Sequence, residues 1–235
     1  MYKIILSLLI VSFFFSCDDA NKKTKKKYNH YLSIYNNALN HGDINVAINA
    51  CYEIIGFDST KTNFYDTLVY LYLNTNNEGA TFLAARSSLK YNPNNDKMTR
   101  VAANFAKSLG MADTAIAYYK RTFVINNNLE NLYDMAQVQY NAGYDAAAEQ
   151  TADMIIKSPD SEKTMIAISL GKETPQQIPM KAAAYNIKGT ILISLGSKEV
   201  ALKYFDEALK IAPDFRVAKK NKEDILTGKI KFEKQ

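Results

Sequence analysis

Between Tyr185 and Pro213 the sequence reads YNIKGTILISLGSKEVALKYFDEALKIAP, two amphipathic helical patterns in tandem joined at Leu195-Gly196-Ser197. Tyr185, Gly189 and Leu192 mark the first pattern. Ala201, Phe205 and Ala208 recur on one face of the second, and Pro213 stops it. Small residues at Gly189, Ala201 and Ala208 let two helices approach closely, while Tyr185, Leu192 and Phe205 fill the space between them. One such helical hairpin cannot bury its own apolar face. A chain built on it folds only if neighbouring segments repeat the pattern and stack on it.

The rest of the chain does repeat it. Tyr28 to Lys61 carries Tyr31 and Ile34 in its first helix, His41-Gly42 at the turn, Asp43 as N-cap, and Ala47 and Cys51 on the packing face of its second helix. Thr62 to Asn95 follows with Tyr65, Leu68, Tyr72, Ala80, Ala84, Leu89 and a terminating Pro93. Its turn at Asn74-Thr75-Asn76-Asn77 has no Gly, but Asn also tolerates the left-handed conformation. Asp96 to Asn128 contributes Ala103, Gly110, Ala115 and Tyr119; Leu129 to Ser161 contributes Leu132, Ala136, Gly143, Ala148 and Ala152. Gly110 to Gly143 spans 33 residues, as does Ala115 to Ala148.

This pattern of aromatic, Gly, Ala, aromatic, Ala and Pro resembles the tetratricopeptide repeat (TPR). The chain looks like a bacterial TPR lipoprotein of Bacteroidota-like type. Lys188 departs from the family, which usually has Leu there; Ile187 beside it takes part of that role. The resemblance implies an all-α fold, a right-handed TPR α-solenoid of about five helix-turn-helix repeats plus a C-terminal capping helix. The expected division is repeats 1–4 over 28–161, an inserted loop at 162–181, repeat 5 over 182–215, and a capping helix with a basic tail at 216–235. In the insertion, Met165, Ala167 and Ser169 alternate with Ile166, Ile168 and Leu170, a short strand-like pattern followed by two prolines. Its apolar side chains either pack on a neighbouring helix or line the binding groove.

The first residues, MYKIILSLLIVSFFFSC, place one cation ahead of an unbroken apolar run from Ile4 to Phe15. The run is shorter than the roughly 20 residues a helix needs to cross a bilayer and has the order of a secretory signal. Ser16-Cys17 at its end resembles a bacterial lipobox. The resemblance implies a signal peptide at 1–16 and a lipidated Cys17 as the mature N-terminus; a plain signal peptide and an uncleaved anchor are the other readings. Residues 17–27 then read as a flexible tether. Acidic Asp18-Asp19 resemble surface-export signals, although in enteric bacteria an Asp there implies retention at the inner membrane. The expected location is the cell envelope, lipid-anchored at the outer membrane.

The formal charge of +5 is unevenly distributed. Five Lys fall in 22–27 and seven Lys/Arg in 216–235, whereas Tyr28 to Phe215 carries about −3. Basic ends on a mildly acidic body fit a solvated tether or membrane-surface contact, not a nucleic-acid reader.

No catalytic constellation is visible. Gly171-Lys172-Glu173-Thr174 lacks the upstream Gly of a phosphate loop, with Ile166 in its place. His30 and His41 stand apart without metal-ligand spacing. With Cys17 lipidated, Cys51 has no disulfide partner and reads as a small buried hydrophobe. The chain is therefore expected to be no enzyme and to use no metal or cofactor.

What the resemblance implies instead is a concave binding groove lined by the first helix of each repeat. Carried onto this sequence, the family's groove positions include Asn36, Asn40, Asp66, Tyr70, Asn74, Arg100, Asn104, Lys107, Tyr133, Gln137, Tyr140, Asn141, Asn186 and Thr190. Amide and phenol groups of this kind hydrogen-bond an extended peptide backbone. Arg100 and Asn104 occupy two positions of the family's carboxylate clamp, but Asp134, Ala183 and Ile187 leave it incomplete. The expected function is a lipid-anchored envelope scaffold, an adaptor or assembly factor whose partner is an envelope protein or peptide segment. The alternative is a surface lipoprotein that captures a glycan or peptide ligand in the groove.

Overall fold

The structure, a computed structural model, describes residues 22–58 and 60–229. Cys17, the 1–16 signal segment, residues 18–21 of the tether and 230–235 of the basic tail lie outside the described residues. The chain divides after Ala102 into two compact units.

The first unit holds α1 (22–40), α2 (Ile44–Phe57), α3 (Asn63–Asn74) and α4 (Glu78–Tyr91), and contains the start of α5 (Asp96–Ser108). The chain is helical from the first described residue, so the lysine run expected in a flexible tether lies in α1. Lys is a good helix former, and all five of these lysines are exposed. α2 starts on Asp43, whose Oδ1 accepts the Val46 N–H at 3.2 Å. The turn before α4 passes through Asn76 at φ 52°, where Asn replaces the expected Gly, and Asn77 Oδ1 accepts the Ala80 N–H at 3.0 Å. The core is built from Ala47, Cys51 and Ile54 of α2, Phe64, Leu68 and Leu71 of α3, and Ala84, Ala85 and Leu89 of α4. Tyr28 and Tyr35 meet the Phe64 ring edge-on at 6.4 and 6.1 Å.

The second unit continues with α6 (Ala112–Asn126), α7 (Leu129–Asn141), α8 (Asp145–Lys157), β1 (Met165–Ile168), β2 (Gln176–Pro179), α9 (Met180–Ser194), α10 (Lys198–Ile211) and α11 (Arg216–Leu226). Gly110 and Gly143 turn the chain between helices at φ 71° and 78°, a conformation costly for any residue with a Cβ. Ala115, Ala148 and Ala201 are fully buried at equivalent places in α6, α8 and α10. α7 packs on α6 and α8, α9 on α8 and α10, and α7 also lies directly beside α9. α11 then covers α9 and α10.

Residues 162–181, expected as an inserted loop, contain an antiparallel hairpin that pairs Met165 with Pro179 and Ile168 with Gln176. The alternation at 165–170 marked its first strand; the second had no comparable signal. Ile178 is buried, and both strands pack on α9. The hairpin also grips the start of α11. Gln176 donates from Nε2 to the Asp214 carbonyl at 2.7 Å and accepts the Arg216 N–H on Oε1 at 2.9 Å. The Arg216 guanidinium adds bonds to Glu173 and to the Thr174 carbonyl.

The family's Leu position, filled by Lys188, is resolved by ion pairing. The Lys188 side chain is 6% exposed, with its ammonium 2.7 Å from Asp153, 3.2 Å from Glu149 and 4.8 Å above the centre of the Tyr204 ring. Burial alone would push its pKa down, but hydrogen bonds to Asp153, Tyr204 and Glu149 outweigh it and hold the pKa above the ordinary value. The stem packs as Leu would, and the head turns towards two partly exposed carboxylates.

Two predictions follow from this packing. A Cβ built on Gly189 would stand 2.6 Å from the fully buried Phe205 ring. Gly189→Ala is expected to destabilise the protein by about 1–3 kcal/mol in a denaturant melt, and Phe205→Leu in the same chain to recover part of it. The second concerns Cys51, whose thiol burial pushes from its ordinary 9.0 up to about 12. The folded state therefore favours the neutral thiol. Its stability contribution is full below pH 9.0 and lost as pH rises towards about 12. With Cys17→Ser, so that Cys51 is the sole thiol, the native chain should resist a thiol reagent at pH 8.5 that modifies it at once in urea. A native thiol reacting at the free-cysteine rate would refute this burial.

Candidate functional site

The residues assigned to the groove wall fall in both units and are taken unit by unit. In the first unit, Asn36, Asn40 and Asn74 are exposed. Tyr70 is 46% exposed, and the Lys97 ammonium lies 5.8 Å from its ring centre. Arg100 is exposed on α5. Asp66 is committed elsewhere. It accepts the Ser88 hydroxyl on Oδ1 and the Asn95 amide on Oδ2 at 3.1 Å. That grip turns Asn95 Oδ1 towards the Met98 N–H at 3.2 Å, so the carboxylate orients the cap of α5. Asp66 is a fold residue.

In the second unit, Lys107, Tyr133, Gln137, Tyr140 and Asn141 lie on α5 and α7, and Asn186 and Thr190 on α9. The structure buries two of them. Tyr133 is 6% exposed, and burial pushes its phenol up to about 12. Asn186 is 7% exposed and accepts the Asn221 amide of α11 at 3.1 Å. The capping helix therefore covers the α9 end of the wall. Thr190 is half-buried and donates to the Asn186 carbonyl at 2.9 Å. Asn104 is exposed, but its Oδ1 accepts the hydroxyl of the fully buried Tyr119 at 2.7 Å.

The remaining four form a smaller surface. Lys107 bridges to Asp134 at 2.8 Å with its ammonium 5.8 Å from the Tyr119 ring centre. Asn141 is exposed, and Gln137 and Tyr140 are half-buried one turn or less away on α7. Burial raises the Tyr140 phenol, so it remains a neutral donor. Between the ends of α5 and α7 lies a cavity of about 270 Å³ lined by Lys107, Gly110, Ala112, Val138, Asn141 and Ala142. An apolar floor with an amide and an ammonium at its rim suits one side chain of an extended peptide. Sequence reasoning named Lys107 and Asn141 as groove residues but not Gly110, Ala112, Val138 and Ala142, which complete the lining.

A larger hollow of about 440 Å³ lies between α10 and α11, lined by Lys203, Asp206, Glu207, Leu209, Lys210 and Lys222. Its charges pair with one another, Lys222 with Asp206 at 2.6 Å and Lys210 with Glu207. Among the described residues no cluster of three His, Cys, Asp or Glu side chains could hold a metal ion, and no helix is long and apolar enough to cross a membrane.

The tetratricopeptide-repeat family profile matches residues 182–215, which span α9, α10 and the entry to α11. No curated protein matches the chain in sequence. Among solved structures, the chain is similar to YrrB, described as a TPR protein with an unusual peptide-binding site. The TM-score is 0.59 at 16% identity, covering 82% of this chain and 90% of that one. A tetratricopeptide repeat protein from Parabacteroides merdae ATCC 43184 gives a TM-score of 0.58 at 14% identity, covering 86% and 73%. MamA gives 0.56 at 14% identity, covering 89% of this chain and 100% of that one. At these identities the likeness is one of fold. Together with the matched repeat at 182–215 and the recurring helix pairs, it gives the chain an all-α fold like that of tetratricopeptide-repeat proteins.

Proposed function

We propose that the chain is a lipid-anchored cell-envelope scaffold that holds an extended segment of a partner protein against the α5–α7 surface of its second unit. The observation that carries this reading is the cavity between the ends of α5 and α7, with Lys107 and Asn141 at its rim and Gln137 and Tyr140 beside it. These side chains offer amide, phenol and ammonium groups to a peptide backbone, and the Val138 and alanine floor offers a place for an apolar side chain. YrrB, described as having a peptide-binding site, supplies an analogy on the same fold. The lipobox-like Ser16-Cys17 supports lipid anchoring and, with it, an outer-membrane location. Scaffolding without catalysis is the corresponding reading for a fold whose surface is used for binding. Capture of a glycan or a free peptide is the competing reading, and it requires no protein partner.

The test is crosslinking of the native chain in cells, affinity capture and mass spectrometry. It is run beside Cys17→Ala with a substitute signal peptide, and beside a Gln137→Ala, Asn141→Ala double variant. Both side chains reach the surface, so the apolar core is kept, which a Tyr133 substitution would not do; because Gln137 also bonds the Tyr133 phenol, Asn141→Ala alone is run as a control. We expect one dominant envelope protein whose recovery falls more than tenfold in the double variant while cooperative melting shows the fold retained. Undiminished recovery would remove the α7 surface from the reading. Absence of any enriched protein would transfer it to ligand capture.

A further inference from the structure

The five lysines at the start of α1 are not explained by the fold. Lys22, Lys23, Lys25, Lys26 and Lys27 are exposed on the first two described turns of this helix. Lys22 and Lys26, and Lys23 and Lys27, add like-charge pairs at i,i+4. Among the described residues none of the five forms an ion pair; Lys27 reaches only the Phe57 ring, at 5.8 Å from its centre. Five exposed ammonium groups within six residues favour a polyanionic surface beside them.

The chain length supplies the candidate. Cys17 precedes Lys22 by five residues. At about 3.5 Å per residue, a lipid on Cys17 keeps α1 within roughly 18 Å of the headgroups. On the lipid-anchor reading above, anionic headgroups are the anions held closest to this turn. We propose that the Lys22–Lys27 face of α1 docks on anionic phospholipid, so that the first repeat rests on the membrane surface instead of hanging from a free tether. The lipid supplies attachment, and the lysines supply the second, electrostatic signal that fixes how the first helix meets the bilayer.

The experiment uses the full chain purified from membranes. Mass spectrometry of Cys17 first reads the lipid directly. The chain, carrying a fluorophore on Asn29→Cys, is then reconstituted into phosphatidylcholine vesicles with or without phosphatidylglycerol, with nitroxide quenchers at headgroup depth. We expect quenching that requires phosphatidylglycerol and disappears at high salt, where the screening length falls to about 3 Å at 1 M. Replacing the five lysines with Gln should lower the ratio of docked to undocked chain on the order of 100-fold or more, with the Cys17 lipid retained. Equal quenching in that variant, or in phosphatidylcholine alone, on a chain that carries the lipid would overturn the lysine docking and leave the anchor standing. An unmodified Cys17 would overturn the anchor and the reach argument with it. Displacement of the docked face by a DNA duplex at equal phosphate concentration would assign the patch to nucleic acid and also overturn the proposal.

Discussion

The contact on which this fold depends is the near approach of paired helices through a position too small to hold them apart. At α9 and α10 that position is Gly189, against which the Phe205 ring lies with no room for a methyl group. Ala115, Ala148 and Ala201 serve the same end in α6, α8 and α10, each wholly removed from solvent. Close approach raises the number of atoms in van der Waals contact along the pair, a gain that is small per atom and large in sum. It also fixes which side chains face outward, because a helix seated at one distance and angle has little freedom to roll.

That constraint explains what could be read in advance. Small residues recurring at a fixed spacing state where helices touch, so Ala115, Ala148 and Gly189 gave the repeat and its register directly. Caps were equally legible, since Asp43 and the Asn74–Asn77 turn carry their chemistry locally. Less was legible at the wall. The helical period separates the two faces of α7 but does not resolve a residue at their border, and Tyr133 lies on the buried side of it. Asp66, Asn104 and Asn186 lost their availability to partners distant in sequence, namely Ser88 and Asn95, Tyr119, and Asn221. No single-sequence pattern encodes such pairings. The same holds for the second hairpin strand, whose QQIP has no alternation of its own and is fixed by pairing with Met165–Ile168.

Lys188 shows how the pattern tolerates an exception. An ammonium deep between helices would normally be expelled or neutralised. Here Glu149 and Asp153 stand one turn apart on α8, so both carboxylates reach it while remaining partly in water. The partners therefore escape most of the desolvation cost that makes fully buried ion pairs weak stabilisers. The charge is permitted by the solvent-facing edge of α8, and the packing at the neighbouring Gly189 is left undisturbed.

The same self-pairing narrows where binding chemistry can reside. A polar wall is useful to a partner only where its hydrogen-bonding groups are not already satisfied by the protein, because displacing an internal bond returns little net free energy. Asp66 fails that requirement by both oxygens, and Asn186 is covered by α11. Asn141 is exposed, Gln137 keeps part of its surface while bonding the Tyr133 phenol, and Lys107, paired with Asp134 at the exposed edge, borders a hollow whose floor is alkyl and backbone. The capping helix thus closes the wall beyond α9, while the cavity at the ends of α5 and α7 stays open. On the proposed reading, specificity in the second unit is concentrated at that cavity.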